Sequence, residues 1–197
     1  MRVIGITGGI GSGKTTVVNM FKSYGVPLFI ADDEAKLILA KDHTVINKVK
    51  LLLGVDAYVK IDGVEQPNRK FIASKVFNDK ELLKELNKII HPAVRLKFND
   101  WVAAQDAVYG MYEAAILYES GGDSICDSVV LITAPRSVRV QRVMARDKVT
   151  EEEVIARMEN QWTELKKLNK AEFVLPNKDI EQTKRFVCYL NDFLLNN

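Results

Sequence analysis

The sequence predicts a three-layer α/β fold built on a parallel sheet of five strands, and two observations carry this prediction. First, short apolar runs that suit buried strands alternate along the chain with helical patterns. Second, the first apolar run leads into a glycine-rich loop, and a helical pattern follows that loop directly. This alternation is typical of a parallel sheet covered by helices.

The five predicted strands are short and rich in Val, Ile, Leu, Phe or Tyr. They lie at residues 3–7, 28–30, 108–112, 128–133 and 173–175. The first is apolar on both faces, as a central parallel strand should be.

The predicted helices follow helical spacing of apolar residues and ordinary start and stop signals. They occupy residues 15–23, two segments separated at His91-Pro92, a segment from Pro135, one after the capping box at residues 150–153, and a last one from about Ile180. A further capping box is predicted at residues 78–81, and residues 58–63 are predicted to form a hairpin or loop. The break at His91-Pro92 is expected because a residue before proline is pushed out of the α region.

The loop after the first strand has the spacing G-x-x-x-x-G-K-[ST], from Gly8 to Gly13-Lys14-Thr15. Glycines let such a loop curl so that successive N–H groups surround phosphate oxygens at a helix N-terminus. Lys14 is expected to contact the β- and γ-phosphates, and the Thr15 hydroxyl is expected to bind Mg²⁺. The sequence therefore predicts a site for a nucleoside triphosphate, made here by Gly9, Gly11, Ser12, Gly13, Lys14, Thr15 and Thr16.

A group of acidic residues, Asp32, Asp33 and Glu34, follows the second strand. Ligands of open α/β sheets bind at the carboxyl ends of the strands, so Asp32 could act as a base near the γ-phosphate. It could equally be the N-cap of the next helix. Asp33 and Glu34 are interpreted as first-turn acids that complement the helix dipole.

Composition and charge exclude several classes of protein. The 197 residues carry a formal net charge of +2, which is too small to indicate nucleic acid or an anionic membrane as a partner. Cys126 and Cys188 are far apart and are interpreted as reduced thiols. No signal peptide or membrane-spanning run is recognised, so a cytoplasmic location is expected.

One P-loop domain with two additions is predicted over residues 1–197. The core is expected at residues 1–31, 106–135 and 171–197, a helical acceptor-binding insertion at about 32–105, and a helical lid at about 136–170. The lid contains Arg139, Arg142 and Arg146 at helical spacing. Such a basic stripe is either a solvated helix face or a source of cations for a transferring phosphoryl group.

The sequence bears on three classes of P-loop protein. A GTP-dependent switch is disfavoured because the chain lacks the D-x-x-G and N-K-x-D motifs. A mechanical ATPase is disfavoured because neither strand at residues 108–112 and 129–133 ends in an acidic residue. A short chain with a helical insertion and an arginine-rich lid favours a small-molecule kinase.

The chain resembles the dephospho-CoA kinase family from its first strand to Asn177. The resemblance is carried by Thr7-Gly-Gly-Ile-Gly-Ser-Gly-Lys-Thr-Thr16, Ala31-Asp32, Arg69 before Val76-Phe77, Leu86-Asn87 before His91-Pro92, Ile116-Leu-Tyr-Glu119, Arg142 with Arg146-Asp147, Arg157 with Gln161, and Ala171-Glu172 before Asn177. It implies ATP-dependent phosphorylation of the ribose 3′-hydroxyl of dephospho-CoA, with ATP and Mg²⁺ as cofactors.

The resemblance also implies roles for single residues. Asp32 is the expected base, and Arg142 and Arg146 are expected to close over the phosphates. Asn177 is expected near the adenine. The expected acceptor-binding residues are Asp32, Arg69, His91, Glu119 and Arg157.

Three departures from the family pattern are visible. The usual Asp-Ala-Asp is Ile30-Ala31-Asp32, Pro-Leu-Leu-x-Glu is Ala115-Ile-Leu-Tyr-Glu119, and Ala-Asp is Ala171-Glu172. Asp32 matches the second family aspartate, the expected base.

Two alternatives stay open at this point. One is a kinase of another small hydroxyl or nucleotide acceptor, which would share the loop, Asp32 and the lid. The other is a nucleotide-sensing module, which would need neither Asp32 nor Arg142. We expect dephospho-CoA as the partner, no nucleic acid or membrane, and a monomer or weak homo-oligomer.

Overall fold

The computed structural model describes residues 1–77 and 79–197, and these residues form two compact units. The first, called the core unit here, comprises Met1–Ile30 and Gln105–Asn197. The second, called the helical unit, comprises Ala31–Ala104. None of the helices in the described residues is long and apolar enough to span a lipid bilayer.

The strands of the described residues are numbered in chain order. They are β1 (Arg2–Thr7), β2 (Leu28–Ile30), β3 (Tyr58–Ile61), β4 (Val64–Pro67), β5 (Tyr109–Glu113), β6 (Ser128–Thr133) and β7 (Phe173–Pro176). The α-helices are α1 (Lys14–Ser23), α2 (Ala31–Lys41), α3 (His43–Leu53), α4 (Arg69–Val76), α5 (Lys80–Ala103), α6 (Arg136–Asp147), α7 (Glu151–Glu159), α8 (Glu164–Leu168) and α9 (Ile180–Asn196).

The core unit contains a five-stranded sheet in the order β2-β5-β1-β6-β7, and every pair of neighbours is parallel. The predicted α/β fold with a parallel sheet of five strands is therefore confirmed. β1 lies at the centre of the sheet, and five of its six residues are buried, as expected for a strand covered on both faces.

The main hydrophobic cluster of the core unit joins the sheet to α1 and α9. Ile4 and Ile6 of β1 are buried in it with Phe21 of α1 and Leu190 of α9. Because β1 is fixed in this way, the point at which the loop between β1 and α1 begins is fixed as well.

The helical unit combines four helices with the two-stranded sheet β3-β4. The strands are antiparallel and are joined by Asp62 and Gly63, whose φ angles are 50° and 77°. Two successive residues with positive φ are typical of a type I′ hairpin turn, and Asp-Gly suits that turn. The predicted hairpin is confirmed.

The predicted break at His91-Pro92 is wrong, because α5 is a single helix of 24 residues with Pro92 inside it. Proline inside a helix costs about 3 kcal/mol through a lost hydrogen bond and a clash. However, Leu86, Ile90, Val94 and Phe98 are buried along one continuous face of this helix. Burying large apolar side chains contributes roughly 1.5–3 kcal/mol each, which outweighs that cost.

The start of α5 also differs in detail from the prediction. The predicted capping box begins at Asn78, which lies outside the described residues. Asp79 is the observed N-cap, and its carboxylate accepts a hydrogen bond from the backbone N–H of Leu82 at 2.9 Å.

Candidate active site

The glycine-rich loop, residues 8–13, connects the end of β1 directly to the start of α1. Gly11 and Gly13 have φ angles of 79° and 87°, values that favour glycine. The loop is closed by a backbone hydrogen bond of 3.0 Å from the Ser12 N–H to the Gly9 carbonyl. The first turn of α1 holds no acidic side chain, so its backbone N–H groups suit an anion.

A cavity of about 500 Å³ lies against this loop in the core unit. It is lined by Gly9, Ile10, Gly11, Ser12, Gly13, Lys14, Thr15, Thr16, Ala115, Arg142, Val143, Arg146 and Gln161. The structure thus gathers every predicted nucleotide-binding residue except Asn177 around one space. Its cationic residues and exposed helix N-terminus suit a polyphosphate.

Lys14 lies against both the loop and an acidic residue that the sequence analysis missed. Its Nζ donates a hydrogen bond of 3.1 Å to the Gly8 carbonyl and lies 3.9 Å from Oε1 of Glu113. Both side chains are only 13% exposed. The prediction that neither of two strands ends in an acidic residue is therefore wrong for the first of them, since β5 ends at Glu113, whereas β6 ends at Thr133. The apolar run at residues 109–112 followed directly by Glu113 was the available signal.

Arg142 of α6 contacts backbone carbonyl groups of the loop and of Asn177. One guanidinium nitrogen donates to the Asn177 carbonyl at 2.9 Å, and the other lies 3.4 Å from the Ser12 carbonyl. Arg142 therefore reaches the cavity while it is anchored to the loop.

The side chain of Asn177 is engaged within the protein. It is 4% exposed, donates to the Ser12 carbonyl at 2.8 Å, and accepts from the Thr183 hydroxyl at 3.1 Å. A Cβ atom added at Gly13 would overlap the Asn177 amide. This close approach explains why the last loop position is a glycine, and it makes Asn177 a support of the loop.

The three predicted lid arginines differ in their surroundings. Arg139 is 9% exposed, with Nε donating to the Ile10 carbonyl at 3.0 Å and Nη1 lying 2.7 Å from Glu164. Arg146 is exposed and pairs with Asp147 at 2.6 Å. The interpretation of the stripe as a solvated face is therefore wrong for Arg139, which packs against the loop.

Asp147 links α6 to α7 because it also accepts a hydrogen bond from Arg157 at 2.8 Å. The hydrogen bonds from Arg146 and Arg157 hold the pKa of Asp147 below its usual value. Arg157, a predicted acceptor ligand, does not line the cavity.

Glu119 is likewise held inside the core unit. Its Oε1 lies 2.9 Å from Nζ of Lys167 and accepts a hydrogen bond of 2.8 Å from the Trp162 N–H. Burial raises the pKa of Glu119, but the ammonium group and the N–H together outweigh burial and bring the pKa below its usual value. Glu119 does not line the cavity.

The remaining predicted acceptor residues belong to the helical unit. Asp32 is exposed in the first turn of α2, as its second residue, so the N-cap interpretation is wrong. Arg69 begins α4 and lines a recess of about 170 Å³. His91 is an exposed residue of α5, and partial desolvation still lowers the pKa of its imidazole. A larger recess of about 530 Å³, which sequence reasoning did not predict, includes Lys41, His43 and Lys97.

Comparisons with known proteins bear on the family and the fold of this chain. The family model CoaE, described as dephospho-CoA kinase, matches residues 2–182. The dephospho-CoA kinase of Syntrophotalea carbinolica is 33% identical over 195 residues, covering 96% of this chain and 90% of the relative. That of Chlorobium chlorochromatii is 38% identical over 179 residues, covering 89% and 84%. A crystal structure of TT1252 from Thermus thermophilus superposes with a TM-score of 0.85 at 33% identity, covering 98% of this chain and 97% of the other. On this match of family model, relatives and fold, the chain belongs to the dephospho-CoA kinase family.

Proposed function

We propose that this chain transfers the γ-phosphoryl group of ATP to the 3′-hydroxyl of dephospho-CoA, giving coenzyme A and ADP. The observation that carries the proposal is the cavity at the loop between β1 and α1, lined by Lys14, Arg142 and Arg146 in a chain of this family. Phosphoryl transfer depends mainly on positioning and on cations placed around the transferring group. This cavity offers both.

The nucleotide is assigned to the loop. In this proposal the backbone N–H groups from Gly11 to Thr16 hold the phosphates, and Lys14 moves from the Gly8 carbonyl to the β- and γ-phosphates. Glu113, whose Oε1 lies 3.9 Å from the ammonium group, helps to hold Lys14 beside the loop. Asn177 is assigned to the adenine side, although its amide is already engaged with Ser12 and Thr183.

The residues present also fit a magnesium ion. In the described part of the chain, His, Cys, Asp and Glu side chains form no group of three or more that could hold a metal by themselves. Mg²⁺ commonly needs only one or two protein oxygens beside substrate phosphates and water. The Thr15 hydroxyl at the cavity is such an oxygen, and the ion, when bound, neutralises charge on the nucleotide.

The acceptor is assigned to the helical unit, with Asp32, Arg69 and His91 as its ligands. Asp32 takes the proton of the 3′-hydroxyl while that oxygen attacks the γ-phosphorus, and the bond from phosphorus to the departing ADP oxygen breaks. Glu119 and Arg157 are further candidate ligands, but Lys167 and Asp147 already occupy them in this structure.

Residues 136–170 are proposed as a lid that brings Arg142 and Arg146 over the phosphates. Excluding water at this step would favour transfer to the acceptor over hydrolysis of ATP. We further propose that the chain acts as a monomer or a weak homo-oligomer.

A coupled assay of ADP release tests this function. The purified chain is given ATP, Mg²⁺ and a panel of acceptors: dephospho-CoA, nucleoside monophosphates and small hydroxy acids. We expect turnover with dephospho-CoA and little with the others. Lys14→Ala serves as the control for contaminating kinases. Turnover of a nucleoside monophosphate without turnover of dephospho-CoA would overturn the proposal in favour of another acceptor.

A further inference from the structure

Both backbone polar groups of Ile10, inside the loop between β1 and α1, are hydrogen-bonded to side chains from the proposed lid. The Ile10 N–H donates to Oε1 of Gln161 at 2.9 Å. The Ile10 carbonyl accepts from Nε of Arg139 at 3.0 Å. These two bonds reach across 151 and 129 positions of sequence, so they tie the loop to distant segments.

Arg139 is itself fixed on several sides. Its Nη1 lies 2.7 Å from the carboxylate of Glu164, in the first turn of α8. A Cβ atom at Gly9 would overlap its guanidinium group, and one at Gly11 would overlap its backbone. The loop therefore fits closely around Arg139, and there is little room for either to move alone.

Apolar contacts reinforce the same position. The side chain of Ile10 packs against the buried cluster of Val140, Val143 and Val154, which joins α6 to α7. Ile10 is thus held through its side chain and through both of its backbone groups.

We propose that Arg139 is a positioning residue that, with Gln161 and Glu164, holds the loop in its phosphate-binding shape; this set is called the Ile10 clamp. The proposal deepens the function above and rests on the loop being the nucleotide site. Arg139 and Glu164 do not line the cavity, so they act through the loop backbone rather than on the nucleotide. A loop already held in its binding shape loses less conformational freedom when the nucleotide binds.

The clamp also couples the loop to the proposed lid. Gln161 and Glu164 flank the start of α8, and Arg139 shares α6 with Arg142, which faces the cavity. A movement of the segment from α6 to α8 would therefore act directly on the backbone of Ile10.

The test replaces Arg139 by methionine, which keeps an unbranched apolar stem and removes the guanidinium group, and by lysine, which keeps the charge near Glu164. Arg136→Met is the matched control, because Arg136 is exposed on the same helix. For Arg139→Met we expect the Kd for ATP and the KM for ATP to rise about 10-fold, from the loss of roughly one hydrogen bond's contribution, with a smaller change in kcat. We also expect faster hydrogen exchange of the Ile10 and Gly11 amides in the nucleotide-free protein. Arg139→Lys should recover part of each change, and Arg136→Met should change nothing.

If Arg139→Met does not fold, Glu164→Gln decides, because Glu164 does not line the cavity; we expect a rise of about 3-fold in the Kd for ATP and faster exchange in the loop. A folded Arg139→Met protein with unchanged ATP affinity and loop exchange would overturn the clamp. Weaker ATP binding by Arg139→Met in a chain inactive on dephospho-CoA would contradict the proposed acceptor and support the clamp.

Discussion

The ion pair of Lys167 and Glu119 links α8 to the segment after β5, and its removal should be costly. Lys167 is 1% exposed and Glu119 14% exposed, and their charged atoms lie 2.9 Å apart. Lys167→Met keeps most of the volume but leaves a mostly buried carboxylate without its cation. Breaking such a pair from one side typically costs about 3–5 kcal/mol. Because Glu119 keeps the Trp162 N–H and some contact with water, we expect about 2–3 kcal/mol here.

The double variant should recover most of that loss. Oε2 of Glu119 is buried without a hydrogen-bond partner among the described residues, so the carboxylate of the native pair is incompletely satisfied. Glu119→Gln with Lys167→Met removes both charges and should fall within about 1 kcal/mol of the native free energy of unfolding. Lys184→Met, which breaks an exposed pair with Glu181, is the control and should cost less than about 1 kcal/mol.

Urea denaturation of the native chain, Lys167→Met, Glu119→Gln and the double variant gives the coupling energy between the two side chains directly. The pKa of Glu119 is lower in the folded chain than its ordinary value of 4.5. Its carboxylate therefore stabilises the fold above the unfolded pKa, and this contribution is lost as the pH falls through the folded pKa. The native chain should lose stability relative to the double variant as the pH falls below about 4.5. The reasoning would be refuted if the losses of unfolding free energy in the two single variants simply added up in the double variant and did not depend on acid pH.

The double variant also tests Glu119 as a predicted ligand of dephospho-CoA. If Glu119 makes that contact, the KM for dephospho-CoA should rise in the double variant even though its stability is restored.

Three further predictions concern the chemistry. Lys14→Ala removes the ammonium aimed at the phosphates, so steady-state kinetics should give a turnover lower by about 10²–10³ with unchanged circular dichroism; near-normal turnover would move the site elsewhere. Asp32→Asn keeps the side-chain size but not its basicity, so turnover should fall by about 10²–10⁴ while calorimetry finds ATP binding preserved, and normal turnover would exclude Asp32 as the base. Arg142→Ala should lower kcat more than it raises the KM for ATP, and Arg142→Lys should recover part of the rate. Arg136→Ala is the matched control, and equal small effects at both arginines would exclude a catalytic role for Arg142.

The sequence was sufficient for the parts of the fold that local chemistry determines. The apolar run of β1, the glycine spacing after it and the helix from Lys14 are contiguous, so their patterns predict the loop without knowledge of the rest. The hairpin at Asp62-Gly63 was predictable for the same reason.

Features set by distant contacts could not be predicted in this way. The continuity of α5 through Pro92 depends on burial of one long face, and local rules for proline cannot weigh that burial. Arg139 appears as part of a basic stripe in sequence, because its partners Ile10 and Glu164 lie far away along the chain. Glu113 was missed because the prediction ended β5 one residue too early, and the ends of strands are the part of a sequence-based prediction that is least certain. The roles of Asp32, Arg69 and His91 stay predictions.

The central position of β1 has a consequence for synthesis of the protein on the ribosome. β1 is made well before its two neighbours in the sheet, β5 and β6, at Tyr109–Glu113 and Ser128–Thr133. At about 5–20 residues per second, its apolar residues stay without strand partners for at least several seconds. The helical unit, Ala31–Ala104, is continuous in sequence and is made entirely during that interval. Arg139, Gln161 and Asn177 emerge later still, so the nascent chain should acquire nucleotide affinity only after the residues up to Asn177 have been made.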